Sequence, residues 1–379
     1  MHKLCVLLAA LAAAASRAAV VEVAPPPPIP AKAYLLLDQL TGEVLAEGNA
    51  DERLPPASLT KLMTAYVVFE ALADGRLALD ERVLVSEKAW RMRGSRMFIE
   101  VGTEVVVEDL LRGLIVQSGN DASVALAERV AGSEEAFVAL MNERAAALGM
   151  TSTTFRNSTG LPAGGHYSTA RDLAVLARAL VADFPEHHGL YAEREFTYND
   201  IRQYNRNRLL ARDPSVDGLK TGYTSSARYC LVGTASRSGM RLIAVVLGAE
   251  TSQARLRAGQ SLLDYGFESF ETHKLFAKGE PISAAKVWKG VVDSAPVGLA
   301  RDVYVTIPRG AYDALSAVMK LRAELVAPLE AELEIGDVSV TLQGETLYTV
   351  PVVVLEAVSP GGAWTRFKHQ LLMRFEQRD

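Results

Sequence analysis

Cysteine is nearly absent: Cys5 and Cys230 are the only two in 379 residues. Two thiols build neither a disulfide framework nor a cysteine-ligated zinc site. Charge of one sign is missing as well. With 45 acidic against 40 basic residues the net charge is -5, which argues against a general nucleic-acid binder. Low-complexity composition is missing too. Hydrophobic residues make up 49% and charged residues 22%, so the chain has ample material for a packed core. Its length sets a default of about two domains.

The apolar run at the start, Leu4 to Ala15, has 12 residues, short of the roughly 20 that cross a bilayer. It follows a basic start (His2, Lys3) and leads into Ser16-Arg17-Ala18. Charged start, short apolar stretch and small residues are the three parts of a secretory signal peptide, expected over residues 1–18. Cleavage there would remove Cys5 and leave Cys230 alone, so an exported chain would have to rely on its core. Residues 19–32, with Pro25-Pro26-Pro27-Pro28 and Pro30, read as an extended linker.

From Ala33 to about residue 272 the pattern mixes helices with hairpin strands. Tyr34–Asp38 and Glu43–Glu47 form a hairpin around Gly42. Leu62, Tyr66, Phe69 and Ala73 recur at helical spacing over 57–74. Two helical segments, 108–117 and 121–131, are broken at Ser118-Gly119-Asn120, and 171–182 reads as a further helix. Residues 228–235 and 241–248 read as neighbouring buried strands. From 273 to 358 the apolar residues mostly alternate (Val303, Val305, Ile307; Val338, Val340, Leu342; Val350, Val352, Val354), with expected turns at Gly336-Asp337 and Gln343-Gly344. This is the pattern of a separate, smaller β domain. Residues 361–379 read as an amphipathic helix with Trp364, Phe367, Leu371 and Phe375 on one face. A terminal helix of this kind docks on its own domain or lies in a membrane surface; its basic residues Arg366, Lys368, Arg374 and Arg378 outnumber Glu376 and Asp379, which favours the membrane surface.

Chemistry enters at Ser58-Leu59-Thr60-Lys61. A serine and a lysine at i and i+3 share a helix face, so the amine reaches the hydroxyl. A helix start adds a positive field and free N–H groups near a developing oxyanion. The lysine activates the serine only when neutral, which for a pKa near 7 costs roughly 4 kcal/mol against its ordinary value. Chance supplies about one such motif in a chain of this size. A second, Ser283-Ala284-Ala285-Lys286, lies in the β-rich tail with nothing downstream to complete it. The first has company: Ser118-Gly119-Asn120 follows Ser58 by 60 residues, and Lys220-Thr221-Gly222 follows Asn120 by 100.

Those three elements in this order resemble the active site of penicillin-binding proteins and serine β-lactamases. The surrounding stretches narrow the resemblance: Ala57–Thr64, Asn157–Pro162, Tyr167–Leu173, Val216–Gly222 and Gly239–Ile243. They are similar to the low-mass D-alanyl-D-alanine carboxypeptidases of the type-five penicillin-binding protein subgroup, over nearly the whole chain. The resemblance implies an α+β serine β-lactamase/DD-peptidase-like domain over 33–272, with an antiparallel sheet flanked by helices. It implies a β-rich domain over 273–358 and a membrane-associating terminal helix.

The reaction it implies is removal of the terminal D-alanine from peptidoglycan stem pentapeptides through an ester on Ser58, without cofactor or metal and inhibited by β-lactams. Lys61 would act as base, Ser118 as the proton relay to the leaving amine, and Asn120 would hold Lys61 and the substrate amide. Lys220 would add positive potential, depress the Lys61 pKa and attract the substrate carboxylate. Thr221 would donate to that carboxylate. The Ser58 and Tyr223 N–H groups would form the oxyanion hole beside Gly222. Arg206 and Arg255 match carboxylate-pocket positions. The implied location is the periplasm, on the outer face of the cytoplasmic membrane, where residues 364–379 meet the lipid.

Departures from the pattern are Tyr223 and Thr159, each standing where relatives carry histidine. His166 and Cys230 read as structural. Two other functions share the motif set. A serine β-lactamase would need a carboxylate to activate the deacylating water, which Gly119 and the Asn157–Pro162 loop do not offer. A silent peptidoglycan-binding scaffold would not need the full set of catalytic groups.

Overall fold

A computed structural model describes residues 23–322 and 324–376. The expected signal peptide and the first residues of the expected linker lie outside this range, as do residues 377–379. Two compact units emerge, and each is described by itself. One comprises Ala24–His273 with Tyr304–Thr306; the other comprises Lys274–Val303 and the chain from Ile307 onward.

The first unit is built on a five-stranded antiparallel sheet. Its strands run in the order Val44–Gly48, Ala33–Asp38, Met240–Ala249, Arg228–Arg237, Val216–Thr224. The central strands read as nearly unbroken apolar runs because both faces are covered. Leu35, Leu37, Ile243, Val245 and Leu247 enter one core, and their neighbours Leu36, Leu242, Ala244 and Val246 enter the other. Helices Lys61–Ala73, Asn120–Ala131 and Ala170–Asp183 supply the first core, and helix Ser252–Ser269 the second. Residues from Ala24 on are not a free spacer. Ile29 and Ala31 pack on the second core, Lys32 N–H donates to Leu247 O at 2.9 Å, and Tyr265 Oη donates to Ala24 O at 3.0 Å.

Local chemistry explains where the helices start and stop. Ser133, Thr169 and Thr251 each cap a helix by accepting an N–H from the residue three positions on. Gly132, at φ 78°, closes Asn120–Ala131 in the left-handed conformation. The Lys61–Ala73 helix buries ten of its thirteen residues, so nearly its whole circumference is covered by protein. A lysine at its first position is therefore held inside the protein.

The second unit is a six-stranded sheet in the order Leu315–Leu321, Glu334–Leu342, Glu345–Val354, Ser294–Leu299, Ser283–Trp288, Leu325–Val326. Alternate residues Val338, Val340, Val350, Val352 and Val354 form its core. Gln343-Gly344 makes the expected turn between two of these strands, with Gly344 at φ 91°. Gly336-Asp337 does not turn: it lies inside Glu334–Leu342, where the register against the next strand shifts between Glu334 and Gly336. A bulge needs the same permissive residue as a turn, so the two look alike in sequence. Ser283 and Lys286 lie on one strand, where residues three apart point to opposite faces. That second Ser-x-x-Lys match has no catalytic geometry.

Candidate active site

Ser58 lies in a 3₁₀ turn, Ala57–Thr60, that runs directly into the Lys61–Ala73 helix. The turn fits only because two glycines lie against it. Gly160 has φ +84°, and a Cβ there would stand 1.8 Å from Ala57 O. At Gly222 a Cβ would meet Ala57 Cβ, Pro56 O and Ser58 N at 3.1 Å each. Gly222 thus lets the Lys220-Thr221-Gly222 strand run alongside the backbone N–H of Ser58.

Lys61 is 1% exposed, and its Nζ has three oxygen partners. It lies 3.3 Å from Ser58 Oγ, 2.7 Å from Asn120 Oδ1 and 2.7 Å from Thr159 O. Burial pulls its pKa from 10.5 to about 7; the Asp121 charge opposes the shift, and the Arg206 charge adds to it. Burial, rather than a neighbouring lysine, is thus the main cause. Lys220 is itself 3% exposed and held well below the ordinary lysine range, first by burial and then by the charges of Lys61, Arg206 and Arg255. Its Nζ donates to Thr221 O at 3.3 Å, and it lies behind the residues that line the cavity.

A cavity of about 700 Å³ opens at Ser58 and is lined by Ser118, Thr221, Gly222, Tyr223, Arg206 and Arg255, among others. A second, of about 390 Å³, shares Ser58, Ser95, Arg206 and Tyr223 and adds Asn120 and Leu161. Among the described residues no carboxylate lines either one, while Arg206 and Arg255 do, which suits an anion. Ser118 takes a left-handed conformation, φ 65°, where the Gly113–Gln117 turn meets the Asn120–Ala131 helix. Asn120 uses Oδ1 for Lys61 and donates Nδ2 to Arg93 O at 2.6 Å, which leaves one N–H. Arg206 is exposed and donates Nε to Gln117 O at 3.0 Å. Arg255 is buried, with its guanidinium 5.8 Å from the centre of the Tyr229 ring. Tyr229 packs in turn against Tyr223, ring centres 4.5 Å apart, and Tyr223 is half exposed at the rim.

Several contributors have no motif of their own. Asp121 is buried, and its carboxylate accepts N–H groups from Met97 at 3.0 Å, Phe98 at 2.9 Å and Ile99 at 3.4 Å. It thereby pins a loop whose Ser95 and Phe98 line the cavity. Gln203, on the hairpin Glu195–Tyr204, ties the same loop by donating to Met97 O at 3.2 Å. Glu134 accepts from Ser158 N at 3.0 Å and Oγ at 2.8 Å, and so fixes the segment that presents Thr159 O to Lys61. Asp121 immediately follows Ser118-Gly119-Asn120, and that adjacency is its only sequence signal. His166 is not among the hydrogen-bond partners of Lys61. Its Nε2 is 2.9 Å from Thr60 Oγ1, and burial pushes its pKa down to about 4. Cys230 is fully buried, its thiol pushed up to about 11 by burial, which makes it inert.

Asp121→Asn is expected to raise KM about tenfold by loosening the Met97–Ile99 loop. It also removes the charge that holds the Lys61 pKa up, so the acid limb of kcat/KM should move to lower pH. A pH profile of the variant checks this; a KM change with an unmoved limb would leave Asp121 a purely structural role.

Comparison with known proteins places this geometry in a family. Residues 19–251 match the D-alanyl-D-alanine carboxypeptidase family, and residues 270–360 match the penicillin-binding protein 5 C-terminal domain. The chain is 45% identical to D-alanyl-D-alanine carboxypeptidase DacC of Escherichia coli, over 92% of this chain and 89% of that protein. It is 42% identical to DacA of Escherichia coli, over 92% and 88%. Penicillin-binding protein 5 from Haemophilus influenzae superposes with a TM-score of 0.84 at 41% identity, covering 89% of this chain and 99% of that one. Ampicillin-bound penicillin-binding protein D2 from Listeria monocytogenes superposes with a TM-score of 0.59 at 34% identity, covering 64% and 100%. The chain belongs to the D-alanyl-D-alanine carboxypeptidase family.

Proposed function

We propose that this serine-type carboxypeptidase removes the terminal D-alanine of a peptidoglycan stem pentapeptide, with Ser58 as nucleophile and Lys61 as base. The observation that carries this reading is the Lys61 amine, 3.3 Å from Ser58 Oγ with a pKa of about 7. Ser58 Oγ attacks the carbonyl between the two D-alanines and Lys61 takes its proton. The oxyanion is received by the N–H groups of Ser58 and Tyr223. The tetrahedral intermediate collapses with a proton delivered through Ser118 to the departing D-alanine amine, leaving the ester. Water then attacks, Lys61 takes its proton, and the shortened peptide leaves as Ser58 regains its hydrogen. Thr221, Arg206 and Arg255 receive the substrate carboxylate, an assignment supported by the excess of cations lining the cavity. The buried Lys220 supplies potential rather than direct contact. β-Lactams present a strained amide to the same serine and acylate it.

The test measures D-alanine release from a pentapeptide beside turnover of a chromogenic β-lactam. Expected are D-alanine release and a slowly hydrolysed adduct, with kcat/KM falling about tenfold per pH unit below about pH 7. Fast β-lactam turnover without D-alanine would make the enzyme a lactamase.

We further propose export and attachment to the outer face of the cytoplasmic membrane. Support comes from the helix Ala363–Glu376, where Trp364 is 74% and Phe367 57% exposed, with Leu371 and Leu372 also exposed. No helix among the described residues is long and apolar enough to cross a membrane.

A further inference from the structure

The terminal helix contacts the rest of its unit along only part of its circumference. His369 is 8% exposed; its Nδ1 accepts the Lys289 N–H at 2.7 Å, and its ring lies edge-on to Trp288 at 5.5 Å. At about 100° per residue, Trp364 and Leu371 fall on the side away from His369. Between these two sides runs a third stripe, Ala363, Arg366, Phe367 and Gln370. These four residues form one wall of a groove of about 540 Å³, whose other wall is Lys289, Val326, Ala327, Pro328 and Pro360. That volume lies within the range of about 300–1,000 Å³ typical of small-molecule sites.

The chemistry of the groove is divided. One part is cationic: Arg366 and Lys289 line it, and neither has a carboxylate partner among the described residues. Lys289 Nζ donates to Gln370 Oε1 at 2.7 Å, which holds the ammonium beside the groove with two donors to spare. The other part is apolar, formed by Val326, Pro328 and Phe367, and Phe367 also belongs to the exposed row with Trp364 and Leu371. Among the described residues no acidic side chain lines the groove. A ligand that satisfies both parts carries a phosphate at one end and hydrocarbon at the other, and its hydrocarbon leaves along the exposed row.

We propose that this groove binds the phosphate headgroup of an anionic phospholipid, with Arg366 and Lys289 on the phosphate and Phe367 beside the start of the acyl chains. The inference rests on the membrane-surface reading of the helix and adds a specific headgroup site to it. A guanidinium offers a phosphate two parallel donors, whereas an unplaced surface cation contributes only general attraction.

The experiment is vesicle flotation of the full chain, on phosphatidylcholine alone and on phosphatidylcholine containing phosphatidylglycerol. Arg366→Gln should weaken binding to the anionic vesicles by about 20-fold or more. Lys368→Gln removes a helix charge outside the groove and should cost about fivefold. Ala363→Phe fills the groove without changing charge and should abolish the preference for anionic vesicles. All three variants should melt with the parent and bind neutral vesicles alike. Equal losses for Arg366→Gln and Lys368→Gln, with Ala363→Phe harmless, would overturn the groove and leave the helix a general membrane binder. Binding to neither vesicle would overturn the membrane reading, and this inference with it. Displacement from vesicles by soluble glycerophosphoglycerol as effectively as by the lipid would assign the groove to a free phosphodiester instead.

Discussion

Lys61→Met is expected to abolish catalysis while making the protein more stable. Without a base beside Ser58, kcat should fall by about 10⁴-fold or more. The stability gain follows from where the native protein keeps this amine. With a native pKa of about 7 against an ordinary 10.5, the unfolded chain holds the extra proton between those values. Stability therefore rises with pH from about 7 to 10.5 and is lowest, and flat, below 7. At pH 7 the buried amine costs the fold on the order of 4 kcal/mol. Methionine removes that cost but leaves Asn120 Oδ1 and Thr159 O without their donor, at roughly 1 kcal/mol or more each. The balance favours the variant by about 1–2 kcal/mol, or roughly 3–6 °C in melting temperature for a domain of this size. Calorimetry of both proteins at pH 7 and 10 checks the sign. At pH 10 the native amine is neutral and costs less than about 1 kcal/mol, so the order should reverse and the parent melt higher; a variant that melts lower at pH 7 would contradict a buried, destabilising amine.

Gly160→Ala should show the largest effect of any substitution that touches no reacting atom. Alanine must adopt a φ of +84° and place its Cβ where Ala57 O stands. Either the Asn157–Pro162 loop retreats, withdrawing Thr159 O from Lys61, or the Ala57–Thr60 turn shifts and carries Ser58 with it. A strained backbone and a direct clash together cost about 3 kcal/mol, a drop of roughly 6–12 °C. Displacement of Ser58 by about 1 Å should cost about 10²-fold in kcat/KM. The fall in activity should persist well below the new melting temperature. Normal activity there would mean that the two segments do not meet as described.

Much of the site was legible because its chemistry repeats along the chain in recognisable pieces. Ser58 and Lys61 declare themselves through helical spacing. Ser118-Gly119-Asn120 marks a break between two apolar segments, and the glycine of Lys220-Thr221-Gly222 is needed where the strand passes the backbone of Ser58. The unbroken apolar runs Leu35–Leu37 and Ile243–Leu247 likewise reveal strands buried on both faces. What stayed hidden depends on contacts between distant segments. The Asp121 carboxylate meets amides 22 to 24 residues earlier, and Glu134 meets Ser158 24 residues later. Neither pairing follows any local period. The hairpin Glu195–Tyr204, which contributes to the large cavity, has strands of only four residues, and the buried position of the second is the polar Gln203, so its pattern is too brief to mark a strand. The division of labour between the two lysines was hidden for a different reason: sequence shows that both are cations, and only burial shows that Lys220 is held behind the cavity wall.

The most direct test of the account is to find the ester. The enzyme is mixed with benzylpenicillin, and separately with the pentapeptide, quenched in acid within the first turnovers, and mapped by mass spectrometry. A single adduct is expected on the peptide containing Ser58, in both reactions, and it should vanish in Ser58→Ala together with D-alanine release. Continued D-alanine release from Ser58→Ala, or an adduct on any other residue, would contradict Ser58 as nucleophile.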